Sequence, residues 1–148
     1  MKIRAFLPQD AEETYLLFCD TVHKVNRADY SPEQLNAWAD GKTDVNAWAA
    51  TFAGKRAYVA DENGRIVGFG DIASDGYLDR LYVASDCIGR GVGSALCDVL
   101  EEPFAAVSVH ASITARPFFE GRGYKVLRHN IVERRGVRLT NYIMIKNK

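Results

Sequence analysis

The ten residues CIGRGVGSAL, Cys87 to Leu96, constrain this chain more than any other stretch. Gly89, Gly91 and Gly93 alternate through a turn, and an apolar run at helical spacing follows at once. Glycine weakens regular structure, so this cluster marks a place that needs bare backbone or left-handed dihedrals. Upstream, Tyr77 to Val83 reads as a strand; downstream, Val92, Ala95, Leu96, Val99 and Leu100 share a helix face. The first N–H groups of a helix have no internal partner and lie at the positive end of its dipole. Together they form an anion site, and a diphosphate is the expected occupant. The dipole contributes only about 0.3–1 kcal/mol, or about 2 kcal/mol when partly buried. Direct hydrogen bonds must therefore supply most of the affinity, with a charge-assisted bond from Arg90.

Spacing excludes two other phosphate motifs. A dinucleotide fingerprint needs a third glycine where Ser94 stands, and an acidic residue about 20 positions on, near Ala111, where there is none. A P-loop needs a Gly-Lys-Ser/Thr end, and no lysine follows these glycines.

The rest of the chain alternates between the two periodicities. Ile3 to Phe6 read as a strand, and Asp10 to Glu13 have the spacing of a capping box. Tyr15, Phe18, Val22 and Val25 then recur as one helix face. Ser31-Pro32 with Gln34 starts a second helix, and Asp44 to Phe52 form a third. Strands follow at Arg56 to Asp61 and Arg65 to Ala73, joined by the hairpin signal Asn63-Gly64. After the glycine turn and its helix come a strand at Ala106 to Ala111 and a helix capped by Thr114, with Pro117 in its first turn and Gly123 as a left-handed stop. Tyr124 to Glu133 and Val137 to Ile145 close the chain as a hairpin around Arg135-Gly136. The order predicted is β-α-α-α-β-β-β-α-β-α-β-β, a mixed α/β sheet in one domain spanning residues 1–148.

Composition excludes several classes of function. Lys plus Arg and Asp plus Glu both number 19, so no electrostatic footprint for nucleic acid or an anionic membrane exists. Cys19, Cys87 and Cys97 are odd in number and lack metal-ligand spacing, which predicts a reducing, cytoplasmic setting and no metal. No run approaches the length of a membrane span.

The segment LDRLYVASDCIGRGVGSALCDVL resembles motif A of the GNAT superfamily of acetyl-CoA-dependent N-acetyltransferases. Leu81 and Val83 match the end of its strand, and Gly91 and Gly93 match the glycines that open its helix. ASITARPFFEGRGY resembles the second signature of that superfamily, and together with YSPEQLNAWA it is similar to the YafP-like branch. The resemblance implies a GNAT-like (acyl-CoA N-acyltransferase) fold, with a mainly antiparallel sheet flanked by helices. It implies acetyl-CoA as acetyl donor and a primary amine as acceptor, reacting by direct attack in a ternary complex. It also implies that the backbone of Leu81, Tyr82 and Val83 pairs with the pantetheine arm. N–H groups of Gly89, Arg90, Gly91, Val92, Gly93 and Ser94 would hold the pyrophosphate, with Phe118 and Phe119 beside the cofactor. Acetyl-CoA and an amine are the expected partners, and a homodimer is compatible with the sequence.

Three positions depart from the family pattern. Ile88 replaces the usual Gln or Arg, Ser112 the usual Asn, and Phe119 the usual Tyr that protonates the departing thiolate. Phe119 has no proton to give. The candidates for acid and base are Tyr77 and Asp79 on the strand, and His110 at the end of the next one. Each has a structural alternative: an ion pair for Asp79, strand packing for Tyr77, a structural imidazole for His110. Ser112 either bonds the cofactor or ends a strand. Tyr30, Trp38 and Trp48 either line an acceptor cleft or fill a core. Arg134, Arg135 and Arg138 read as a solvated hairpin. The departures also leave open an acyl-CoA-binding sensor or regulatory module with a degenerate catalytic site.

Overall fold

The computed structural model describes residues 1–148 and contains the predicted order of elements. β1 (Lys2–Ala5) leads to α1 (Ala11–Val25), α2 (Pro32–Trp38) and α3 (Val45–Ala50). β2 (Arg56–Glu62), β3 (Arg65–Ile72) and β4 (Tyr77–Val83) follow, then α4 (Val92–Glu101), β5 (Ala106–Ser112), α5 (Arg116–Gly121), β6 (Lys125–Arg134) and β7 (Val137–Asn147). The seven strands form one sheet in the order β1-β2-β3-β4-β5-β7-β6, antiparallel except where β4 meets β5.

Both hairpin turns use residues with positive φ, Asn63-Gly64 and Arg135-Gly136, as two-residue turns of this hand require. Ser31 caps α2 by accepting the Gln34 N–H at 3.1 Å, and the Gln34 side chain accepts the Ser31 N–H in return. Two expected caps are corrected. Asp10 gives no side-chain bond to α1; its buried carboxylate accepts from Arg4 at 2.8 Å and from the Leu7 N–H at 2.8 Å. Thr114 does not cap α5, because its hydroxyl donates to Asp29 at 2.8 Å, and Ser112 Oγ accepts the Ala115 N–H at 3.0 Å instead.

Helices cover both faces of the sheet. α4 lies close against β3 because Gly68 and Gly70, two apart and so on one face, carry no side chains there. A Cβ on Gly68 would stand 2.8 Å from Val92 Cγ1, and one on Gly70 would stand 2.9 Å from Leu100 Cδ1. α1 and α3 pack on the other face around Phe18, Trp48, Phe52 and Phe69. Trp48 and Tyr30 are therefore core residues: Trp48 Nε1 donates to Thr14, and the Tyr30 hydroxyl donates to the Thr140 carbonyl.

The feature that makes the site is a local failure of pairing. The β3–β4 register skips Asp79, matching Asp71 with Arg80 but Ile72 with Leu78. Such a bulge bends its strand. β4 then touches β5 only through Tyr77↔Ser108 and Leu78↔Val109, and beyond that contact the two strands part.

Candidate active site

The gap between β4 and β5 opens into a cavity of about 420 Å³, floored by both strands and closed by the head of α4 and by α5. On β4, Ala84 N–H bonds to the Val67 carbonyl of β3. By the alternation of an antiparallel ladder, the N–H and C=O groups of Leu81 and Val83 then face away from β3, into the gap. Thr21 of α1 already donates to the Val83 carbonyl at 2.9 Å.

The glycine turn takes the form its sequence predicts. Gly89 and Gly91 have φ of 81° and 83°, the left-handed region that other residues avoid. No side chain caps α4, and its first internal bond runs from Ala95 N–H to Gly91. The N–H groups of Gly89 through Ser94 have no acceptor within the protein. Gly93 is bare for a second reason: a Cβ there would come within 3.2 Å of the Phe118 ring, which seals the α5 side. Arg90 is turned elsewhere, donating to Glu62 at 2.9 Å and to Cys87 Sγ at 3.4 Å, with its side chain 54 % exposed.

Asp79, His110, Ser112, Phe118 and Phe119 all line the cavity. Tyr77 does not; its ring stands edge-on to His110, with centroids 5.0 Å apart. Asp79 accepts an ion-pair hydrogen bond from Lys55 at 2.5 Å, and Lys55 also lies 3.5 Å from buried Asp71, which Arg80 clamps. Burial lowers the pKa of His110, helped by the charges of Arg128 and Arg134 and opposed by Asp79, so its imidazole is neutral near pH 7. Burial and the charge of Asp79 raise the pKa of Tyr77, which keeps its proton. Phe119 is buried to 3 % exposure between Phe118 and Tyr124.

The cavity walls also include residues for which the sequence carries no local signal. Asn26, at the end of α1, donates to Ser112 Oγ at 3.4 Å across 86 positions. Of Tyr30, Trp38 and Trp48, for which cleft and core were both open from the sequence, Trp38 lines the cavity, and its Nε1 donates to the Tyr82 hydroxyl at 3.2 Å. Burial raises the pKa of Tyr82, and the bond from Trp38 opposes that rise. No three His, Cys, Asp or Glu side chains are grouped as metal ligands.

The fold that carries this strand-to-helix turn is shared with known proteins. Residues 26–146 match the model of the acetyltransferase (GNAT) domain. The chain belongs to the GNAT acetyltransferase family. It is 35% identical over 144 residues to the uncharacterised N-acetyltransferase YafP of Escherichia coli, covering 97% of this chain and 94% of that one. A GCN5-related N-acetyltransferase from Rhodopseudomonas palustris superposes with a TM-score of 0.95 at 35% identity, over 99% of this chain and 95% of that one. The fold is shared more distantly with the PaiA N-acetyltransferase of Thermoplasma acidophilum, solved in complex with coenzyme A, at TM-score 0.75 and 15% identity over 99% and 98% of the two chains. GNAT membership makes the protein an acyltransferase, and no helix is long and apolar enough to cross a membrane.

Proposed function

We propose that the protein transfers an acetyl group from acetyl-CoA to a primary amine, by direct attack within a ternary complex. The observation that carries this reading is the set of N–H groups from Gly89 to Ser94 that have no acceptor in the protein, at the mouth of the β4–β5 gap. They suit a pyrophosphate, while the β4 edge at Leu81 and the Val83 N–H suits the amides of a pantetheine arm, the Val83 carbonyl already accepting from Thr21. The residues therefore fit acetyl-CoA without rearrangement of the backbone. Arg90 is held by an exposed pair with Glu62 and a bond to Cys87 Sγ; exposed pairs contribute about 0–1 kcal/mol, so it can swing to a phosphate.

Within that complex, a backbone N–H of β4 stabilises the oxygen of the thioester carbonyl as negative charge develops on it. The amine must be neutral to attack, and His110 is the group in the cavity best suited to accept its proton near pH 7. Tyr77 stays protonated beside His110 and orients the ring. Asp79 is committed to Lys55 and acts through the local field. With Phe119 in place of a tyrosine, the thiolate leaves without a phenol beside it, and solvent at the open mouth supplies the proton. Much of the acceleration then comes from positioning.

Thermal melting with and without acetyl-CoA tests the first half of the proposal, since a ligand that binds only the folded state raises the melting point. CoA release with a panel of amines tests the second. Cofactor binding without release for any amine would favour the other reading, an acyl-CoA-binding sensor or regulatory module, for which buried Phe119 is the supporting observation.

A further inference from the structure

The sheet face that carries His110 bears a row of charges beside the gap that the reading of the acetyl-CoA site does not use. On β5, Val107, Val109 and Ala111 are buried, so His110 emerges on the opposite face. It pairs with Ile143 of β7, which pairs with Arg128 of β6, so His110, Ile143 and Arg128 form one row across three strands. Strands lie about 4.8 Å apart, which brings a guanidinium on Arg128 within reach of the imidazole. From Arg128 the alternation of β6 places Asn130 and Arg134 on the same face. Arg134 acts electrostatically on Tyr77, Tyr82 and His110, three groups on two strands around the gap.

Neither arginine is paired. Seven other arginines of the chain form salt bridges, Arg4, Arg65, Arg80, Arg90, Arg116, Arg122 and Arg135. Arg128 has no hydrogen-bond or carboxylate partner, and Arg134 bonds only the carbonyl of its neighbour Glu133 at 3.5 Å. Asp79, the nearest acid lining the gap, is already taken by Lys55. Neither arginine is in the cavity wall itself, but with His110 neutral both act as positive charges without an ion-pair partner on the groups around the gap.

Resting on the transferase reading above, we infer that the acceptor is a small amine that also carries an anionic group, a carboxylate or a phosphate, held by Arg128 and Arg134. The two cations serve the reaction twice. They bind the anion through charge-assisted, fork-shaped hydrogen bonds. They also disfavour the ammonium form of the amine beside them, which leaves less proton removal for His110. In the transfer, the amine nitrogen forms the new bond to the acetyl carbon as the carbon–sulfur bond breaks. Of the two protons the ammonium loses, one leaves through His110 before attack, and the other passes to solvent at the open mouth, which protonates the departing thiolate.

The test is a matched panel with acetyl-CoA: 4-aminobutyrate against butylamine for a carboxylate, and O-phosphoethanolamine against ethanolamine for a phosphate. The proposal expects kcat/KM to favour the anionic member of at least one pair by about tenfold or more, the scale of a hydrogen bond between charged groups. In Arg128→Gln and Arg134→Gln that ratio falls toward one, through KM, and Arg128→Lys restores part of it. In the CoA-bound protein, glutarate or inorganic phosphate raises the melting point, and the rise is lost in both Gln variants. Equal or better use of the uncharged amines overturns the proposal, as does an equal loss on both members of each pair in the variants. Absence of acetyl-CoA binding instead defeats the transferase reading on which it rests.

Discussion

The two ends of α4 are built on opposite terms. At its C-terminal end the polar groups are engaged, Arg122 Nε excepted. Glu101 is buried, and its carboxylate accepts from Arg122 at 2.9 Å, from Lys146 at 3.1 Å and from the Tyr124 hydroxyl at 2.6 Å. Lys148 covers the Glu101 and Glu102 carbonyls, and Arg56 covers that of Val99. Cations at this end suit the helix dipole. At the N-terminal end the donors from Gly89 to Ser94 face the cavity without partners, and no acidic side chain caps them. One end anchors the helix to β7 and to the turn after α5, so the other end can hold its donors fixed in advance of a ligand. Rigidity is thus concentrated where no chemistry happens, and unsatisfied hydrogen bonding is concentrated where it does.

Breaking the closed end gives the largest effect. Glu101→Gln leaves Arg122 and Lys146 facing a neutral amide, and Arg122 Nε already lacks a partner. Loss of one member of a buried ionic cluster costs about 3–5 kcal/mol. That corresponds to a fall of about 10 °C in melting temperature, measurable by calorimetry.

Acid attacks the same end. Burial pushes the pKa of Glu101 up, but hydrogen bonds from Arg122, Tyr124 and Lys146 more than offset it, so the folded pKa lies below the ordinary 4.5. The unfolded chain then binds the proton first, and the contribution of Glu101 is present above the unfolded pKa and lost as pH falls through the folded value. Asp10, bonded to Arg4, shifts in the same direction. Stability should drop as pH falls from about 5 toward 3. The drop should be shallower in Glu101→Gln, as urea unfolding at a series of pH values would show.

At the open end, Gly91→Ala meets no steric obstacle, since nothing lies within 4 Å of the new Cβ. Its cost comes from the φ of 83°, about 1–2 kcal/mol for a residue with a side chain. If the turn relaxes to avoid that strain, acetyl-CoA affinity by titration calorimetry falls about tenfold, the equivalent of that energy. Unchanged affinity would mean that the turn does not bind the diphosphate. The smallest effect is expected from Arg90→Ala. Its pair with Glu62 is exposed, so stability should change by less than about 1 kcal/mol. Acetyl-CoA binding should weaken about threefold, more at low salt than at high.

The open end was legible in the sequence and the closed end was not. The glycine turn declares itself because its chemistry is local: Gly89, Gly91 and the helix they open lie within a dozen residues of one another. Both hairpins and the cap at Ser31 were readable for the same reason. Glu101 carries no local signal of its role, because its partners are 21, 23 and 45 positions away. The same holds within the site. Tyr77 and Asp79, two apart on one strand, share a face only where the strand has no bulge; the bulge falls at Asp79, and Lys55, from the segment before β2, takes its carboxylate. The choice left open for Trp38 and Trp48 resolves in opposite ways, a cleft for Trp38 and the core for Trp48, since equal helical spacing serves both.

Sequence alone determined the order of the elements, their turns and the donor-rich head of α4, because strand alternation, helical spacing and glycine dihedrals act over a few residues. Tertiary structure decided that β4 and β5 part, that α4 lies bare against Gly68 and Gly70, and which charges stay unpaired. Those outcomes depend on which distant groups arrive within a few ångströms of one another. An ion pair or a cavity is a property of that meeting and of neither segment by itself.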